Sequence, residues 1–315
     1  MTATPTRSGV TAPVDLRSPR TTGLLLCLVS AVSFGLAAVL AKEAFLAGFN
    51  VTTLLAGRFG IAAVAFWVIV LIRRPARPAL AAGWTAVALG GLGYAAQAAF
   101  YFGALTRLNA AIVAQLLYVY PALVVVIALL RRVESPDRRK LLALVCSIAG
   151  LALLLHGGSS RGGGSATGVA MALGAAGTYA LYITVAATLA AELDVYLLSA
   201  IVCSAATFSV VGYGLLTGSL HTDVAASGWG WLAALALISS VVAIGTFLAG
   251  LRLVGGPAAA ILSCIEPVVT AISSAIVFGE GLTGTQLAGG AAVLGAVVVL
   301  QARRRAAVTE DVVAI

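Results

Sequence analysis

Charge is scarce in this chain. Lys, Arg, Asp and Glu make up 10% of its 315 residues, against about 25% in soluble domains. Histidine is nearly absent: His156 and His221 are the only two, and both fall near expected outer loop ends without an evident partner. No Asp/Glu cluster accompanies them, so the donors that metal–phosphate chemistry needs are missing. The four cysteines, Cys27, Cys146, Cys203 and Cys264, have no metal-ligand spacing and lie inside apolar runs; they read as small buried hydrophobes. No Gly-x-x-x-x-Gly-Lys-Ser/Thr loop is present, which excludes direct ATP use through that motif. Neither a metal nor a cofactor is expected.

What the chain has is apolar surface. Hydrophobic residues make up 61%, and the mean hydropathy is +1.08. No water-soluble fold of this length has enough interior to hide that much, so the solvent must be mostly lipid. The net charge of +8 raises the question of nucleic acid. The basic residues form no stripe, however. They sit in short clusters between apolar runs, such as Arg73-Arg74 and Arg303-Arg304-Arg305. That is the pattern of membrane topology signals, and it makes the bilayer the partner and not nucleic acid.

A spanning helix needs about 20 apolar residues. Such segments fall at 22–44, 51–72, 82–105, 109–130, 138–156, 168–191, 195–217, 229–252, 256–279 and 283–302, which predicts an all-α integral membrane protein with ten transmembrane helices. Residues 1–21 read as a disordered polar tail, and the first apolar run as an uncleaved helix. Residues 157–167 read as a Gly/Ser-rich linker at the midpoint, and 303–315 as a basic tail. With the N-terminus placed inside, fifteen basic residues fall on inside loops and tails. Three (Lys42, Arg107 and Arg161) fall outside, and Arg58 lies within a helix. The bias predicts a multi-pass protein of the cytoplasmic membrane with both termini cytoplasmic.

The two halves repeat. Thr22-Gly23 opens the first helix and Thr167-Gly168 the sixth, an offset of 145. Pro121 and Glu134 recur as Pro267 and Glu280, an offset of 146. This divides the chain into units 22–156 and 168–302. Each unit has five helices, an odd number, so the second copy enters the membrane from the opposite side. Inverted repeats of this kind are typical of secondary transporters that alternate access to a midplane site.

Glu266 is the only acidic residue near the middle of a span. A charge there costs about 2.5–3.5 kcal/mol, so it is expected to face the protein interior or a watery cavity. Ser263, Glu266, Thr270 and Ser274 share one helical face. Glu266 either contacts an amine or carries a proton, or it is a structural carboxyl bonded between helices. Tyr94, Gln97 and Tyr101 share a face of the third helix, Gln115 and Tyr118 one of the fourth, and Tyr179 and Tyr182 one of the sixth. Ser239 and Thr246 repeat the polar spacing on the eighth. Rings with a few polar tips suit a small-molecule pocket; interhelical hydrogen bonding is the plainer use.

Pro121 and Pro267 each remove a helical hydrogen bond, at matched places that suit paired gating bends or static kinks. Arg58 is expected to pack or to snorkel toward the outer surface, the lesser alternative being a direct pair with Glu266 across a depth difference of about 10 Å, and Lys42 to snorkel at an outer helix end. Glu134 and Glu280 read as helix-end or loop-contact residues. Gly289, Gly290 and Gly295 suit close helix packing, or equally a homodimer contact.

With these residues in place, the chain resembles the EamA-type family of the drug/metabolite transporter superfamily. Phe34-Gly35 and Lys42 match that family's first helix, Arg58 its second, and Ile265-Glu266-Pro267 with Gly279-Glu280 its ninth. Three positions depart from the pattern: Phe34 replaces a frequent Trp, Tyr120-Pro121 replaces Glu-Pro, and the second repeat has no match to Arg58. The resemblance covers about residues 22–302. It implies ten helices in two inverted repeats, and export or exchange of small metabolites, often amino acids, across the cytoplasmic membrane. Two other classes are weighed against this: a membrane enzyme acting on lipid or prenyl substrates, for which the reactive groups are missing, and a receptor or assembly subunit that moves nothing.

Overall fold

The structure, a computed structural model, describes residues 19–76, 78–132, 138–159, 165–254, 259 and 262–302. Glu134, Arg77, the core of the linker and most of both tails lie outside the described residues. Among the described residues the secondary structure is helical throughout. α1 is Pro19–Leu46, with a turn at Leu36. α2 is Val51–Arg73. α3 runs over 80–105, with a π-helical segment at Leu89–Tyr94. α4 is Ala110–Leu130, interrupted at Tyr118 and Val119. α5 is Arg138–Ser159, α6 Ala166–Glu192 and α7 Val195–Thr217. α8 runs over 226–254, with a π segment at Leu237–Val242. α9 is Glu266–Phe278 and α10 Gly284–Ala302.

Local chemistry sets several ends. Asn50 accepts from the N–H of Thr53 at 2.8 Å and starts α2. Ser165 does the same for α6 through Gly168, and Asp194 for α7 through Tyr196 and Leu197. Each side-chain oxygen satisfies an N–H that the first turn leaves without a helical partner.

Helix is present in all ten stretches expected from the sequence. Six of these helices are long and apolar enough to cross a membrane on their own: Pro19–Leu46, Val51–Arg73, Ala110–Leu130, Ala166–Ala186, Val195–Thr217 and Ala226–Leu251. The others fall short for visible reasons. α3 carries Gly90, Gly91, Gly93, Tyr94, Gln97 and Tyr101, which dilute its apolar content. α9 is cut short by Pro267. The apolar parts of α5 and α10, Leu141–Leu153 and Gly284–Val299, are brief.

The helices pair in a pattern. α1 packs on α8, α2 on α7, α3 on α6, α4 on α9 and α5 on α10. Exchanging the first five helices for the second five returns the same list. The mates α2 and α7 run antiparallel. Asn50 bonds to the Ser219 carbonyl at one end, Trp67 Nε1 donates to Ser204 Oγ in between, and Arg73 lies over the Tyr196 ring at the other. Between the helices sit small side chains, with Ala38, Ala41, Ala44, Ala62, Ala206 and Ala236 fully buried. Large apolar side chains such as Leu71, Phe208, Leu216 and Ile276 point outward. Helices associate in lipid by close packing of small residues, because lipid tails already solvate the large ones.

The α1–α8 crossing depends on Gly250. A Cβ there would lie 2.6 Å from Cys27 Sγ and 2.8 Å from the Gly23 carbonyl. Gly250→Leu is therefore expected to destabilise the fold by about 1–3 kcal/mol through overpacking. Gly245→Ala, where a Cβ meets nothing within 4 Å, should be neutral. Melting of detergent-solubilised protein followed by fluorescence distinguishes the two.

Candidate functional site

The site grows from two helix breaks. Proline has no N–H, so Pro267 leaves the carbonyl of Ser263 without its helical donor. The hydroxyl of Tyr118, at the interruption of α4, donates to that carbonyl. Pro121 sits in the first turn after the same interruption. The two broken helices therefore meet at their breaks.

Glu266 is the first residue of α9. Its carboxyl lies beside the Tyr118 hydroxyl and Ser263. Tyr101, Tyr120 and Tyr179 stand within its electrostatic reach. From there a file of rings crosses the bundle. Tyr118 and Tyr120 lie 5.9 Å apart between centroids, Tyr120 and Tyr179 4.6 Å, and Tyr179 and Tyr182 6.1 Å in a stacked pair. Tyr182 and Tyr94 follow at 5.4 Å, then Tyr94 and Phe59 at 5.1 Å. Tyr94, Tyr101, Tyr120, Tyr179 and Tyr182 are surrounded by protein, yet each keeps part of its accessible surface. These side chains stand among the helices without being fully packed over.

Arg58 stands at the far end of the file. It is 7% exposed, so it packs inside and does not snorkel. Its Nε donates to Ser240 Oγ at 3.1 Å, and its guanidinium lies 5.0 Å from the centre of the Phe102 ring and 5.8 Å from that of Phe59. Its charge reaches Tyr94 and Tyr101. Tyr101 thus feels both Arg58 and Glu266. The two charges do not pair directly, since Lys42–Glu280 is the only ion pair among the described residues. Lys42 was expected to snorkel; its pairing with Glu280 holds it inward instead.

The π segments serve this site. The one in α3 ends on Tyr94, and the one in α8 holds Ser239 and Ser240. Wide turns of this kind are frequent at functional positions, because they re-aim the residues around them.

Of the residues singled out in the sequence, Tyr94, Tyr101, Tyr118, Tyr179, Tyr182, Ser263 and Glu266 come together. Others are engaged elsewhere. Ser239 donates to the Ser33 carbonyl, Thr270 to that of Gly35, and Thr246 to its own helix at Val242. Gln97 and Gln115 are buried. Gln115 lies against Gly290, and its Oε1 has no hydrogen-bond partner. Tyr120, marked in the sequence only as a departure from Glu-Pro, joins the site as well, and the offset of 146 that carries it onto Glu266 was the signal for it. Sequence reasoning passed over Ser240, which only the π turn brings to Arg58.

Broken helices meeting at a file of rings, inside a bundle that turns large apolar side chains outward and has helices long enough to span a bilayer, define a multi-pass membrane protein. The profile of the EamA-like transporter family matches residues 21–156 and again 166–301, and the chain belongs to that family. It is 29% identical over 211 residues to the uncharacterised inner membrane transporter YicL of Salmonella typhimurium, covering 63% of this chain and 67% of that one. It is 26% identical over 269 residues to the uncharacterised transporter YcbK of Bacillus subtilis, covering 82% of this chain and 86% of that one. A solved crystal structure at 18% identity superposes with a TM-score of 0.63, covering 91% of this chain and 98% of that one; that likeness concerns the fold.

The contact between the breaks has a measurable strength. Tyr118→Phe removes the donor to the Ser263 carbonyl and should cost between about 0.6 and 1.7 kcal/mol, the average and the upper end for hydrogen bonds between membrane helices. In a Pro267→Ala background the N–H of residue 267 can take over that carbonyl. There the same change should cost much less. A double-mutant cycle on melting temperature checks this.

Proposed function

We propose that the protein is a secondary transporter that exports small zwitterionic metabolites, amino acids or related compounds, by alternating access. The observation that carries this reading is the file of tyrosine rings with the Glu266 carboxyl at one end and the Arg58 guanidinium at the other. A free amino acid presents an ammonium and a carboxylate. Glu266 suits the first as counter-charge, and the fork of an Arg guanidinium suits the second. The tyrosine rings between them offer apolar faces with polar tips, which is how small-molecule sites combine affinity with orientation. A charge held inside the bundle without a partner is costly; a ligand charge that meets Arg58 or Glu266 offsets that cost.

The architecture proposed with this reading is ten transmembrane helices in two inverted units, 22–156 and 168–302. The antiparallel course of α2 and α7, and the pairing list that survives exchange of the halves, support it. The distribution of basic residues supports a cytoplasmic-membrane location with both termini inside. Pro121 and Pro267 are the bends at which α4 and α9 yield. The protein acts as a carrier and not as an enzyme, and the substrate gradient or a coupled ion supplies the work.

The test is metabolite profiling of the medium from cells expressing the native protein, Glu266→Gln or Arg58→Gln at matched membrane levels. Native cells should accumulate amino acids or related compounds outside. Each variant should reduce that efflux at least about tenfold, as expected when a buried charge contact worth about 2 kcal/mol or more is lost. Efflux that persists unchanged in both variants would falsify the two-charge site. No change of the medium with the native protein removes amino-acid export.

A further inference from the structure

Glu280 is a meeting point of three helices. α9 ends at Phe278, and Gly279 turns the chain with φ +66°, a conformation that favours residues without a Cβ. The Gly279 N–H bonds back to the Ala275 carbonyl, and the Glu280 N–H to that of Ser274. This turn presents the Glu280 carboxylate to two neighbours. One oxygen pairs with the ammonium of Lys42, in the last part of α1. The other accepts the N–H of Ala110, the first residue of α4, at 2.8 Å. An anion at a helix N-terminus gains from the dipole and from the N–H groups exposed there. The Lys42 and Glu280 side chains are 16% and 13% exposed, and the Lys42 ammonium also lies over the Phe278 ring.

Other contacts at this end join a different set of helices. The Ala225 N–H bonds to the Ala47 carbonyl at 3.0 Å, Asn50 donates to the Ser219 carbonyl, and Phe49 meets Trp229 edge-on. These tie the α1–α2 turn to the α7–α8 turn. Glu280 adds α9 and α4, the two broken helices, to that group.

We propose that Lys42, Glu280 and the Ala110 N–H form a latch that closes the outer end of the site. This rests on the alternating-access reading. The half-helix Glu266–Phe278 has 13 residues, a rod about 20 Å long at 1.5 Å per residue. Glu266 stands at its inner end and the latch just past its outer end. A ligand held by Glu266 thus pulls on the same rod that the latch restrains. For the site to face outward, the outer ends of α1, α4 and α9 must part, and the ion pair must break.

Cys264 supplies the reporter. It is buried and lies close to Glu266, Tyr118 and Tyr120, so a reagent reaches it only through an open end. The experiment is alkylation of intact cells with a membrane-impermeant maleimide, read by mass spectrometry of the Cys264 peptide, with Cys264→Ser as blank. Glu280→Gln keeps an acceptor for the Ala110 N–H, and Lys42→Met keeps the stem. Each should speed labelling from outside by about fivefold or more, while Lys42→Arg, which preserves the pair, should label as the native protein does. Native rates in both Glu280→Gln and Lys42→Met, with Cys264 still labelled from inside-out vesicles, overturn the latch and leave alternating access standing. Fast labelling of Lys42→Arg likewise overturns the ion pair as the restraint. Labelling from neither face in any variant overturns alternating access, and the latch with it.

Discussion

The carbonyl of Ser263 has lost its helical donor, and in lipid no water is at hand to replace it. An unmet backbone group in the hydrocarbon region is unfavourable. Pro267 creates this debt and the Tyr118 hydroxyl from the other half of the chain settles it. Much else follows from that one bond. It fixes where α4 crosses α9, and it places the Glu266 carboxyl beside Tyr118. It also brings Tyr120 to the mouth of the ring file that ends at Arg58. A helix break in a membrane protein is tolerated where another group meets the freed carbonyl, and here that group, the Tyr118 hydroxyl, also stands beside Glu266.

The fold was more legible than the site. Long apolar runs, the bias of basic residues and the recurrence of Pro121-x12-Glu134 as Pro267-x12-Glu280 are properties of spacing, and spacing is what a sequence displays. The helices stand where the runs are. The polar side chains were harder to place, because a hydroxyl on a helix has two uses that look alike in sequence. Thr270 and Ser239 bond to carbonyls of α1, whereas Ser240, one residue away from Ser239, holds Arg58. A regular α-helix puts neighbours such as these about 100° apart; a π turn alters that relation, and nothing in the residue types announces it. Lys42 was read by the same rule that fits most membrane lysines, and it departs from that rule because Gly279 brings a carboxylate back to it. That turn joins residues more than 230 positions apart.

Symmetry and asymmetry divide the labour between backbone and side chains. The pairing of helices is unchanged when the halves are exchanged, and both members of the α3/α8 pair contain a π segment at Leu89–Tyr94 and Leu237–Val242. The charges do not follow. Arg58 faces Cys203, its counterpart in the repeat, across the α2–α7 packing. Tyr120 stands where the second half has Glu266. Two similar halves thus carry dissimilar charges, with Arg58 at one end of the ring file and Glu266 at the other.

The paired π segments have a consequence for how these helices tolerate change. Each wide turn holds one residue more than an α-turn requires. Residues on its two sides are therefore out of phase with each other by about 100°. Losing one residue within 89–94 would not shorten the helix uselessly; it would restore an unbroken spiral and swing Gln97 and Tyr101 onto a different neighbour. α3 and α8 thus store, in a single extra residue each, a second alignment of their two ends, and an insertion or deletion there changes what the interior presents more than any substitution on the same face.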